Sequence, residues 1–140
     1  MIEEYKKLLR EFVAIKSVSA DKNYKKEIEK AAEWLCLFAS KSGFQTKIIR
    51  GFDNPIIIAK TSQNKTLPTI LIYGHYDVQP AENFTLTEKT GRLYGRGVAD
   101  NKGQILTHLY SIRKLLEENK LNSNIIFLIE GNEETGSPNL

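Results

Sequence analysis

The sequence predicts an α/β domain: a mixed, mostly parallel sheet with helices on both faces. Two short runs, 69–73 and 125–129, are continuously apolar, and a segment with helical spacing lies between them. Two further amphipathic helical segments precede the first run. A helix between two strands of buried type reads as a crossover within one sheet.

Each element follows in order. Tyr5, Leu8, Leu9, Phe12 and Val13 recur at helical spacing, with Glu3, Glu4, Lys6, Lys7, Arg10 and Glu11 opposite them. A second helix is expected over 23–42, where Ile28, Ala31, Ala32, Leu35, Phe38 and Ala39 share a face and Gly43 stands at a left-handed cap. The runs 45–50 and 56–60, separated by Gly51-Phe52-Asp53-Asn54-Pro55, suit two antiparallel strands, and 61–66 is a polar loop. Thr69-Ile70-Leu71-Ile72-Tyr73 is apolar enough for a strand buried on both faces. Short extended pieces at 85–87 and 92–94 lead through glycines into a helix over 102–119, with Ile105, Leu109, Ile112 and Leu116 on one face. Ile125-Ile126-Phe127-Leu128-Ile129 is the last strand. No internal repeat or low-complexity tract interrupts this order.

Composition narrows the function. The chain has 140 residues, with 20 Lys+Arg against 17 Asp+Glu and 41% hydrophobic positions. Such a chain buries roughly two-thirds of its unfolded surface, so folding needs neither disulfide nor metal. The net charge of +3 is dispersed, which argues against nucleic acid as a partner. The single cysteine, Cys36, excludes an intrachain disulfide; set among Trp34, Leu35, Leu37 and Phe38 it reads as a small buried hydrophobe in a reducing, cytoplasmic compartment. The N-terminal residues have no signal-peptide pattern, and no apolar run approaches about 18 residues, so no membrane association is expected.

Ligands of open α/β sheets bind beyond the carboxyl ends of the strands. Polar residues collect at those positions: His75-Tyr76-Asp77 after the first apolar run, Gly95 through Gly103 before the crossover helix, and Glu130-Gly131-Asn132-Glu133-Glu134 after the last strand. His75-x-Asp77 alone reads as a surface turn before Pro80; its place after a buried strand favours an imidazole metal ligand whose second nitrogen meets a carboxylate. His108, beside Leu109 in the crossover helix, reads as a partly buried structural residue. Asp100 reads either as a helix N-cap or as a bridging metal ligand. Glu133 and Glu134 are solvated loop residues or, with a metal present, one ligand and one free base. A phosphate loop fails on spacing, because Gly95-Arg96-Gly97 lacks the third glycine and Lys102 precedes Gly103. Nucleophilic catalysis lacks both an exposed cysteine pattern and a Gly-x-Ser-x-Gly turn. His, Asp and Glu with a spare carboxylate point to metal-assisted hydrolysis.

Together, Tyr73-Gly74-His75-Tyr76-Asp77-Val78-Gln79-Pro80, Leu93-Tyr94-Gly95-Arg96-Gly97 through Gly103, and Glu130-Gly131-Asn132-Glu133-Glu134-Thr135-Gly136-Ser137 resemble the dinuclear zinc metallopeptidases. That family includes glutamate carboxypeptidase, acetylornithine deacetylase, succinyl-diaminopimelate desuccinylase and the carnosine-type cytosolic dipeptidases, and the wording is most similar to the dipeptidase branch. The match runs from about residue 68 to residue 140. The resemblance implies two Zn2+ ions, with Co2+ or Mn2+ as substitutes. His75 would bind one ion, Asp100 would bridge both, and Glu134 would bind the other. Asp77 would orient His75, and Glu133 would be the general base for a bridging hydroxide attacking a dipeptide-type amide. It further implies a cis Asp100–Asn101 bond. Asn101 departs from the commoner second aspartate without altering the ligand set.

The family pattern has two further ligands, an acidic residue beyond Glu133-Glu134 and a distant histidine, and an inserted dimerisation and lid domain. None of these lies within 1–140, which therefore reads as the N-terminal part of a zinc peptidase catalytic domain, with impaired activity alone and a homodimer expected only for the full-length form. Two alternatives stand beside this reading: a deacylase of N-acyl amino acids, and a non-catalytic remnant that assembles with another chain through an open sheet edge near Ile125 to Ile129.

Overall fold

The computed structural model describes residues 2–138 and 140. Three long helices, α1 (Ile2–Ala14), α2 (Lys25–Lys41) and α3 (Lys102–Glu117), accompany six strands: β1 (Gln45–Ile49), β2 (Ile56–Lys60), β3 (Thr69–His75), β4 (Thr87–Lys89), β5 (Arg92–Tyr94) and β6 (Asn124–Glu130). The expected second helix begins two residues late, because Lys22–Tyr24 form a 3₁₀ turn whose Asp21 carboxylate accepts from the Asn23 N–H. Gly43, at φ +91°, ends α2 as its position suggested.

The α/β class and the mixed sheet are as expected. The main sheet runs β1-β2-β6-β3, and β4 and β5 form a separate hairpin. β1–β2 and β2–β6 are antiparallel, while β3 and β6, joined through α3, are parallel with His75 opposite Glu130. One sheet face carries Ile57, Ala59, Ile125, Phe127 and Ile129, and these share a single buried cluster with residues of all three helices. Phe12 of α1 stacks on Trp34 of α2 at 4.7 Å, fastening the two helices over that face.

Four sequence expectations need correction here. The sheet is not mostly parallel, since among its described strands only β3–β6 pairs that way, and the three helices pack on one face of it rather than on both. The 69–73 run is not buried on both faces: Ile70, Leu71 and Tyr73 are 47%, 61% and 50% exposed, because β3 is an edge strand and Leu71 and Tyr73 point away from the helix-covered face. Nor is 125–129 an open edge, since β6 is hydrogen-bonded to β2 on one side and β3 on the other. Two residues are also more exposed than expected: Cys36 is half-buried and free, and His108 is exposed on α3. No described helix is long and apolar enough to cross a membrane.

Candidate metal centre

Three loops meet at the carboxyl ends of β3 and β6, as the motif positions required. β3 delivers His75, only 5% exposed, to the edge of the sheet, and Gly74 lets that strand approach α3. A Cβ on Gly74 would lie 2.7 Å from Asn101 Oδ1 and 2.8 Å from Ile105 Cγ1. The loop before α3 brings Asp100, through a cis Asp100–Asn101 bond, to place Oδ1 3.0 Å from His75 Nε2. Asp100 is thus no N-cap: Asn101 occupies that position, and its Oδ1 faces the His75 N–H at 3.4 Å.

After β6 the chain makes a 3₁₀ turn, Glu133–Thr135, that presents both glutamates. Glu133 Oε2 lies 3.7 Å from His75 Nε2. Ligand atoms of His75, Asp100 and Glu134 all fall within 4.8 Å of one another, the one such group of three among the described residues. The side chains of Asp100 and Glu133 remain 68% and 43% exposed, so a small molecule can reach them while the imidazole stays shielded.

Asp77 is fully buried beneath this group. Its backbone carbonyl and its carboxylate face His75 Nδ1 at 3.1 and 3.3 Å, leaving Nε2 directed at Asp100. The same carboxylate accepts from the Glu133 and Glu134 N–H groups at 3.2 and 3.1 Å, so it holds the imidazole and the glutamate turn together. Burial disfavours the His75 imidazolium, but the carboxylates of Asp77, Glu133 and Asp100 outweigh it and push the pKa up to about 9.

Several supporting residues escaped the motif reading. Gln79 Nε2 donates to Glu134 Oε2 at 2.8 Å, fixing the carboxylate. Asn132, buried just before the turn, accepts from the Asn54 N–H at 3.0 Å and donates to Asp53 Oδ2 at 3.0 Å. Glu130 accepts from Tyr73 and Ser137 hydroxyls, and burial together with this carboxylate pushes Tyr73 up to about 12. Gln79 and Asn132 stand inside motifs that assign them no role; Asn54 lies far from Asn132 in sequence, and only its turn-rich setting hints at it.

Residues 71–140 match the model of peptidase family M20/M25/M40. The chain belongs to this family. It is 36% identical to the Cysteinylglycine-S-conjugate dipeptidase of Corynebacterium striatum over 77% of its own length and 26% of that protein. It is 42% identical to the mouse (Mus musculus) Beta-Ala-His dipeptidase over 59% of itself and 19% of that protein. Human carnosine dipeptidase 1 superposes with a TM-score of 0.90 at 31% identity, covering 97% of this chain and 33% of that one. An M20 family metallo-carboxypeptidase from Sulfolobus solfataricus gives a TM-score of 0.86 at 34% identity over 96% of this chain and 32% of that one. The chain therefore spans between a fifth and a third of the length of these relatives.

Proposed function

We propose that this chain carries part of a divalent-metal site in a dipeptide-hydrolysing M20 peptidase, with zinc as the metal. The observation that carries this reading is the convergence of His75, Asp100 and Glu134 within 4.8 Å, with Glu133 alongside. One imidazole and two carboxylates form the borderline-to-hard donor set that zinc accepts, with Co2+ or Mn2+ as substitutes. His75 and Glu134 would each hold one of two ions, and Asp100 would bridge them. A bound metal of this kind acidifies water and polarises an amide carbonyl.

The chain's own residues supply the rest. Asp77 keeps the His75 Nδ1 proton in place so that Nε2 is the ligating atom. Gln79 fixes the Glu134 carboxylate through its 2.8 Å bond. Glu133, next to the ligands and partly open to solvent, takes the proton of the attacking water and returns it to the leaving amine. Dipeptides are favoured over N-acyl amino acids as the substrate class because three of the four relatives just described are named dipeptidases and the fourth a carboxypeptidase. Those relatives are several times longer, so hydrolysis by residues 1–140 alone is expected to be weak and the substrate pocket to depend on the remainder of such a protein.

Zinc titration of the 140-residue chain by calorimetry, paired with a dipeptide hydrolysis assay, tests this. Saturable zinc binding that disappears in His75→Ala supports the site, and turnover lost in Glu133→Gln with zinc binding retained supports the base. Absence of zinc binding, or turnover unaffected by Glu133→Gln, would contradict it.

A further inference from the structure

Lys102 is fully buried, yet it belongs to none of the groups assigned above. It is the first residue of α3, where the helix dipole disfavours a cation, and an ammonium is costly to desolvate. Its amine finds its partners at the end of α1: Lys102 Nζ donates to the carbonyls of Phe12 at 3.1 Å and Ile15 at 2.6 Å and lies 5.0 Å above the Phe12 ring. Carbonyls at a helix carboxyl end lack intrahelical partners and carry the negative end of the dipole, so this is where a buried amine is best satisfied.

The stem of Lys102 is enclosed by the loop that bears Asp100. Gly103 N–H donates to the Gly97 carbonyl at 3.1 Å, closing 97–103 into a tight turn. A Cβ on Gly97 would come 3.1 Å from Lys102 Cδ, and one on Gly103 would come 2.0 Å from the Val98 carbonyl oxygen. The segment to which Lys102 reaches also holds the other side of the site. Ser17 Oγ donates to the Tyr76 carbonyl at 2.6 Å, and the Val78 N–H donates to the Ser17 carbonyl at 2.9 Å, bracketing Asp77.

We propose that Lys102 is a positioning residue: by clamping the Asp100 loop to residues 12–17, which also grip the His75–Val78 segment, it sets the Asp100 carboxylate opposite His75 Nε2. Its consequence for metal binding rests on the reading of the site given above, whereas its effect on the loop does not. In effect the connection after α1 is a keystone between the two strand-end loops.

The test compares Lys102→Met, which keeps the stem and removes the donors, with Leu35→Ala, a core truncation in α2. In the metal-free chain, amide exchange of Gly103 is expected to accelerate about tenfold or more in Lys102→Met beyond the change in global stability, and not in Leu35→Ala. Zinc affinity, read by calorimetry, is expected to fall about 10- to 100-fold in Lys102→Met, by the same factor in Asp100→Asn, and no further in the double variant. Unchanged Gly103 exchange, or the same response in Leu35→Ala, would overturn the proposal. If the parent chain binds no zinc, the metal reading fails while the exchange comparison still decides the role of Lys102. If Lys102→Met does not fold, Lys102→Gln, which retains two N–H donors on a shorter stem, is expected to show intermediate Gly103 exchange. Exchange equal to the parent's, or failure of both variants to fold, would overturn a positioning role.

Discussion

Asp77→Asn should destabilise the metal-free chain and loosen the glutamate turn. The substitution keeps the shape of a fully buried side chain but offers one acceptor oxygen instead of two. Asp77 Oδ1 faces the Glu133 N–H at 3.2 Å and His75 Nδ1 at 3.3 Å, while Oδ2 faces the Glu134 N–H at 3.1 Å. Whichever way the amide turns, its NH2 group meets a donor. A hydrogen bond to a charged acceptor contributes about 1.5–3 kcal/mol, and a buried donor left unmatched costs about 1–3 kcal/mol. The contacts all exceed 3 Å, which places each at the weaker end, so a total loss of about 3 kcal/mol is expected. Urea denaturation at fixed pH reads this as a shift of midpoint at constant slope. Zinc affinity should fall with it, by about 10- to 100-fold. A stability loss below about 1 kcal/mol would refute the idea that this carboxylate joins the imidazole to the turn.

Gln79→Leu should weaken zinc binding by about tenfold while leaving stability nearly unchanged, since it removes the bond that orients Glu134 but no core contact; calorimetry and thermal melting separate the two. The His75 imidazolium, with its pKa raised from 6.5 to about 9, stabilises the metal-free fold fully below pH 6.5, and that contribution should be lost as pH rises through about 9. Zinc affinity should move the opposite way, rising up to about tenfold per unit over pH 7–9 because the metal must displace that proton; titrations in buffers of different ionisation enthalpy report the proton released. Gly103→Ala should destabilise the chain by about 2 kcal/mol or more, because the new methyl meets the Val98 carbonyl oxygen and the backbone cannot swing aside, as chemical denaturation will show.

The site was legible where chemistry follows a strong local pattern. His75 and Glu134 come after apolar strands, and Asp100 stands in a glycine-punctuated approach to a helix, so strand-end logic alone brought three distant loops together. The supports were not legible, because their partners lie far along the chain: Lys102 reaches Phe12 and Ile15, and Asn54 meets Asn132. Nothing in the local sequence of a lysine set between Asn101 and Gly103 names a carbonyl 90 residues away. Hydropathy also misjudged β3. A continuous apolar run looks the same whether both faces are covered or one awaits a partner, and the exposure of Leu71 and Tyr73 follows from strand order, which one-dimensional pattern does not encode. For the same reason 125–129 could be mistaken for an edge when it lies between β2 and β3.

X-ray absorption at the zinc edge of the loaded 140-residue chain tests the central claim most directly. The account expects a first shell of nitrogen and oxygen at about 2.0–2.2 Å, with one imidazole scattering pattern that disappears in His75→Ala. A sulfur shell at about 2.3 Å, which only Cys36 or Met1 could supply, or an imidazole pattern that persists in His75→Ala, would contradict it.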